Sequence, residues 1–249
     1  MRHDGHLLPS TDSTEIAAFN KLAEQWWDPT GPMAPLHGLN QLRVPYILEQ
    51  LQAPSDVANP EPATPYDVLD IGCGAGLLSE GMARHGYSVT GIDPAERNIA
   101  IARQHATAHG LDIDYQHTVI EHLPARQFAV VLNMEVVEHV PNAEAFLADS
   151  AARVAPGGWL FIATINRTLA AFLAAIVGAE WLFNLLPRGT HRWQQFVKPS
   201  EVRSACCRAG LIPVVSQGVA VNPIGPRFRL TRYTGVNYML VFRRPFAVE

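Results

Sequence analysis

The stretch Asp67 to Asp93, DVLDIGCGAGLLSEGMARHGYSVTGID, constrains the chain more than any other. Val68-Leu69-Asp70-Ile71 is a short apolar run of the kind that forms a buried strand. It ends in Gly72-Cys73-Gly74-Ala75-Gly76. A helical pattern follows, with Leu77, Leu78, Met82 and Ala83 on one face, and Tyr87 to Ile92 reads as a second strand closed by Asp93. Strand, glycine turn, helix, strand and acid make half of a doubly wound nucleotide-binding fold. The glycines permit a tight turn and let a ligand approach main-chain N–H groups where a Cβ would collide. Asp93 is placed to accept hydrogen bonds from both hydroxyls of a ribose.

The spacing is G-x-G-x-G, one residue shorter than the dinucleotide fingerprint, and Asp70 stands two residues before the first glycine. This pattern resembles the first motif of class I S-adenosylmethionine-dependent methyltransferases, whose turn holds the methionyl part of the cofactor. The resemblance makes Asp70, Gly72, Gly74 and Gly76 candidate cofactor residues beside Asp93. It implies an α/β, Rossmann-like fold: a seven-stranded, mostly parallel sheet with helices on both faces.

The 249 residues suit a single methyltransferase domain. Residues 1–65 supply a tail, a helical cap and a proline-rich linker, and residues 66–249 the core. Asp12 to Trp27 reads as an amphipathic helix with Asp12 and Glu15 as a capping box. Leu39 to Leu51 gives a second helical pattern that Pro45 kinks or restarts. Ala53 to Pro65 is the linker. Within the core, Ala95–His109, Ala143–Val154 and Ser200–Ala209 read as helices. Ile113–Tyr115, Phe128–Asn133, Trp159–Thr164, Leu211–Gln217 and Gly235–Phe242 read as the remaining strands. Asn166 to Lys198 is an inserted segment after strand five.

A net charge of -4 without a Lys/Arg block argues against a nucleic-acid partner. The residues after strand four, Asn133-Met134-Glu135-Val136, also differ from the Asn-Pro-Pro-Tyr of adenine N6 enzymes. Three cysteines without a C-x-x-C fit a reducing, cytoplasmic setting, and MRHDGHLLPS lacks the apolar core of a signal peptide.

Glu135, Glu138 and His139 follow strand four. On a helix they would lie at i, i+3 and i+4, on one face. Two carboxylates and an imidazole suit a divalent cation. The alternative is His139 as general base, held by a glutamate.

Further motifs narrow the family. They are Phe19-Asn20-Lys21-Leu22-Ala23, Trp26-Trp27-Asp28, Pro35-Leu36-His37, Leu42-Arg43, Met134 through Pro141, Thr164-Ile165-Asn166-Arg167, Pro187 through His191, and Val236 through Leu240. From about Ser13 onward the chain resembles the ubiquinone-biosynthesis O-methyltransferases. The resemblance implies methylation of phenolic hydroxyls on 2-polyprenyl-6-hydroxyphenol and 3-demethylubiquinol, with S-adenosylmethionine as donor. It implies cofactor contacts at Arg43, Gly72, Asp93 and Met134, with Arg43 on the cofactor's carboxylate. It also implies Mg²⁺ at Glu135, Glu138 and His139, and other ubiquinone-biosynthesis proteins as candidate partners. Two other readings are a methyltransferase for another small phenolic or lipid substrate, and a non-catalytic cofactor-binding partner.

The inserted segment holds an apolar run, Leu169 to Ala179, resumed at Trp181 to Leu186. It is too interrupted for a membrane span, which needs about 20 apolar residues. Arg167, Arg188, His191 and Arg192 flank it. It is expected to lie against a membrane surface, making the protein peripherally membrane-associated; the alternative is a lid over the substrate pocket.

Overall fold

Apolar runs buried from both sides build the centre of the molecule. A computed structural model describes residues 13–52, 66–168, 196–222 and 227–246. Its parallel strands are β1 (Asp67–Ile71), β2 (Ser88–Asp93), β3 (Ile113–His117), β4 (Phe128–Met134) and β5 (Val154–Ile165). With β6 (Ile212–Asn222), β7 (Arg227–Thr231) and β8 (Asn237–Arg243) they form one sheet, in the order β3-β2-β1-β4-β5-β8-β6-β7. β8 runs antiparallel to both neighbours, and β7 antiparallel to β6.

The helices are α1 (Ser13–Leu22), α2 (Ala34–Gln52), α3 (Leu77–Ala83), α4 (Glu96–Ala108), α5 (Ala143–Ala152) and α6 (Pro199–Arg208). Successive strand residues point to opposite faces, and this divides the core in two. Val68, Val130, Leu132 and Phe161 pack with Leu39, Ile47 and Met82 of α2 and α3. Leu69, Val131, Leu160 and Ile162 pack with Phe146, Leu147 and Val202 of α5 and α6. β1 lies between β2 and β4, so the connections leaving β1 and β4 diverge. That divergence opens a crevice beyond the carboxyl ends of the strands, where open α/β sheets bind ligands.

Three elements depart from expectation. The sheet has eight described strands, not seven, because the chain between β6 and β8 adds the edge strand β7. Its alternation explains it: Phe228 and Leu230 lean on the core while Arg229 is exposed. α1 ends at Leu22, and a 3₁₀ turn (Ala23–Gln25) carries the chain to Trp26. α2 starts at Ala34 and runs through Pro45 without ending. Pro45 is exposed, so solvent can serve the carbonyl that its missing N–H leaves free. The tail and Asp12 cap, the linker, residues 169–195 and residues 223–226 lie outside the described residues.

Candidate active site

Gly72, Gly74 and Gly76 all adopt positive φ, at 68°, 56° and 91°. At Gly74 the requirement is double. The conformation favours glycine, and a Cβ would sit 2.1 Å from the Trp26 ring. Trp27, the next residue, donates its indole N–H to the Ala75 carbonyl at 3.1 Å. The N-terminal cap therefore closes over the glycine turn, a role that the tryptophan pair alone did not disclose.

Asp93 ends β2, buried. Its Oδ2 accepts from the Gly74 amide at 2.9 Å; its Oδ1 accepts from the Ala95 amide at 2.8 Å and from Asn98 at 3.3 Å. Burial raises its pKa, and the amide bonds oppose the rise. A carboxylate has about four lone-pair sites. About one remains for a ribose hydroxyl, fewer than the two expected from sequence. Asp70 lies deeper and accepts from the Ser79 hydroxyl at 2.6 Å. Burial pushes its carboxyl up to about 7. It faces α3.

Arg43 of α2 is buried and forms an ion pair with Glu135, at the end of β4. Glu135 has φ 57°, in the left-handed region. Its amide donates to the Ala163 carbonyl at 2.8 Å, and Asn237 of β8 donates to its Oε1 at 3.0 Å. Met134 is buried beside it. Glu138 is buried, and Thr164 donates to its Oε2 at 2.7 Å. Burial first, then the Glu135 charge, pushes its carboxyl up to about 7, while His139 and Thr164 pull it down. Phe19 of α1 meets the His139 ring edge-on, with centroids 5.5 Å apart.

The expected helix through Glu135, Glu138 and His139 does not form. Only Val137–His139 makes a 3₁₀ turn, because Glu135 still bonds to the sheet edge. Glu138 and His139 stay adjacent, but Glu135 turns to Arg43. Among the described residues, the group of three ligating side chains within 4.8 Å is Glu80, His105 and His109, not these three. Asn237 and Thr164 were missed as site residues, since nothing local marks a residue that pairs across about 100 or 26 positions.

Four buried polar atoms around the crevice have no protein partner: Arg43 Nε, Trp26 Nε1, Asn98 Oδ1 and Asn237 Oδ1. Orphaned groups cost about 1–3 kcal/mol each, so they mark where a polar ligand fits. Donors at Arg43 and the glycine turn, with an acceptor at Asp93, suit an amino-acid carboxylate and a ribose.

The profile of a methyltransferase domain matches residues 41–216. The chain is 46% identical over 243 residues to a ubiquinone biosynthesis O-methyltransferase of Methylobacterium nodulans, covering 96% of this chain and 98% of that one. It is 46% identical to the protein of the same name from Maricaulis maris, covering 95% and 94%. Among solved structures it resembles magnesium protoporphyrin IX methyltransferase from Synechocystis with bound SAH. That match has a TM-score of 0.64 at 16% identity, covering 92% and 94%. A Pyrococcus horikoshii protein gives a TM-score of 0.63 at 12% identity, covering 91% and 98%. These two share the fold; the full-length sequence matches decide the family. The chain belongs to the ubiquinone biosynthesis O-methyltransferases.

Proposed function

We propose that this protein transfers the methyl group of S-adenosylmethionine to phenolic oxygens of polyprenylated rings in ubiquinone biosynthesis, on both 2-polyprenyl-6-hydroxyphenol and 3-demethylubiquinol. The 46% identity over 96% of the chain carries this reading. The crevice supports it: Arg43 takes the cofactor's carboxylate, the Gly72–Gly76 turn its methionyl chain, Asp93 its ribose, and Met134 lines the edge. Purified protein given methyl-labelled cofactor and a prenylated catechol is expected to put label on a ring oxygen. Label found only on carbon would reject the reading.

The donor is a sulfonium, so its methyl needs no activation. A phenol of pKa about 10 is ionised to about one part in a thousand near pH 7, and three units correspond to about 4 kcal/mol. Residues near pKa 7 are the efficient proton acceptors at that pH. Glu138 meets that condition, and His139 adjoins it. As the oxygen bonds to the methyl carbon, the S–C electron pair returns to sulfur. The phenolic proton passes to the Glu138–His139 pair.

Asp93→Ala is expected to weaken cofactor binding by about 1–3 kcal/mol, by removing an acceptor and freeing the Gly74 amide. Calorimetry on the variant checks this; unchanged affinity would show that Asp93 does not hold the ribose.

A divalent cation has no assembled donor set while Arg43 holds Glu135. The set becomes complete if the cofactor's carboxylate draws Arg43 away, leaving Glu135 to join Glu138 and His139. The cation would supply Lewis-acid stabilisation of the phenolate. Cofactor and cation should then bind cooperatively, with a reciprocal coupling of about 5–150-fold. Titrating Mg²⁺ by calorimetry with and without S-adenosylhomocysteine measures the coupling. Equal affinities, with full turnover in excess chelator, would leave Glu138 and His139 as a metal-free base.

Among the described residues, no helix is long and apolar enough to cross a membrane. The chain leaves the sheet edge at Asn166, which donates to the Thr234 carbonyl, and returns at Val197, whose carbonyl accepts from Tyr238. Both ends of the 166–198 segment are therefore anchored beside the start of β8. Arg167 pairs with Glu201, so it is already engaged and is a weaker headgroup candidate than its sequence position suggests. We place the apolar residues between these ends against the bilayer that holds the prenyl tail, at about 0.8 kcal/mol per buried CH₂. Deleting Leu169 to Leu186 should abolish co-sedimentation with anionic vesicles and spare cofactor affinity. A deletion variant that still sediments would make the segment a lid alone.

A further inference from the structure

α3 and α4 carry a second cluster of ligating side chains that methyl transfer does not use. Glu80 is wholly buried on α3, and His105 and His109 stand one turn apart on α4. Ligand atoms of the three lie within 4.8 Å of one another. Positions i and i+4 share a helix face, and the two imidazoles stack with centroids 4.0 Å apart. The Trp27 indole covers the His105 ring at 3.4 Å, almost parallel.

Hydrogen bonds fix which ring atoms are presented. His105 Nδ1 donates to Glu80 Oε1 at 2.7 Å, and His109 Nδ1 donates to the His105 carbonyl at 2.8 Å. A carboxylate and a carbonyl only accept, so each Nδ1 carries a proton and each neutral ring keeps its lone pair on Nε2. A carboxylate behind a histidine orients the ring and raises its basicity as a metal ligand. Arg84 donates to Glu80 Oε2 at 2.6 Å and holds the carboxylate in that backing position.

We propose that His105 and His109 bind a borderline divalent cation, such as Zn²⁺, Ni²⁺ or Cu²⁺, through their Nε2 atoms once the exposed His109 ring swings out of its stack on His105, with Glu80 behind His105 and water completing the shell. Imidazole pairs suit these ions, whereas Mg²⁺ prefers oxygen ligands. This site therefore differs in its residues and in its ion from the Glu135, Glu138 and His139 set. Trp27 connects it to the glycine turn, since the same indole stacks on His105 and bonds to Ala75.

The test uses the untagged full chain, stripped of metal and titrated with Ni²⁺ and Zn²⁺ by calorimetry and by tryptophan fluorescence. Wild type is expected to show a saturable site whose filling by Ni²⁺ quenches fluorescence. His109→Ala removes an exposed ligand with little risk to folding and should lower affinity at least tenfold and abolish that quenching. Glu80→Gln should weaken binding about 10–100-fold, as the loss of a ligand's backing group does. His109→Ala should leave methyl transfer and Mg²⁺ affinity unchanged. Ni²⁺ and Zn²⁺ affinities equal in wild type and His109→Ala would overturn the proposal.

Discussion

Glu138→Gln is expected to lower kcat by about 10²–10⁴-fold, the range for loss of a general base. Cofactor affinity measured without a divalent cation should scarcely change, since the hydrogen bond to Glu138 comes from Thr164 and not from Arg43, the glycine turn or Asp93. Glutamine keeps an acceptor for Thr164, which donates to Glu138 at 2.7 Å, so the fold survives. The same change should stabilise the protein in alkali. Burial raises the Glu138 carboxyl from 4.5 to about 7 in the folded chain. Its stabilising contribution is full below the unfolded value and is lost as pH rises through about 7. Glutamine never ionises, so Tm of the variant should exceed wild type at about pH 8 and approach it near pH 5. Wild-type turnover should rise through the same interval as Glu138 deprotonates. A variant with wild-type kcat would remove Glu138 from the reaction; equal Tm at both pH values would show that the group is not buried in its charged form.

Arg43→Met should act on both stability and binding. Breaking a buried ion pair on one side typically costs about 3–5 kcal/mol. The expected loss lies toward the lower end, because the Glu135 side chain keeps 17% exposure and Asn237 still donates to it. Adding Glu135→Gln should recover much of that stability, since no unpaired charge then remains. It should not recover cofactor affinity if Arg43 is the carboxylate's partner. Denaturant unfolding and cofactor calorimetry on the two single variants and the double variant separate these effects. A double variant that regains cofactor binding would assign Arg43 to structure alone.

The parts legible in the sequence are those whose causes are local. The apolar run of β1 and the glycines at positive φ lie within a few positions of the turn they make, so spacing exposed them. β7 was hidden because its Phe228 and Leu230 alternate with polar residues next to a Pro- and Gly-containing stretch of sequence, a pattern that also describes a loop. The Glu135 to His139 stretch misled for a different reason. Spacing suggests a helix, but Glu135 donates to Ala163 while turning into the left-handed region at φ 57°, which ends the strand without starting a helix. Long-range pairs were beyond reach: Arg43 meets Glu135 across 92 positions, and Asn237 meets it across 102. Trp26 and Trp27 stood out as a pair, but their closure over Gly74 and Ala75 depends on how α1 and α2 dock on the core.

The most direct test compares kcat/KM for two catechols in lipid vesicles, one with a polyprenyl tail and one without, using methyl-labelled S-adenosylmethionine. A prenylated acceptor methylated on oxygen with the larger kcat/KM is the predicted result. Turnover of the tailless catechol alone, or with the larger kcat/KM, would contradict the assignment to ubiquinone biosynthesis.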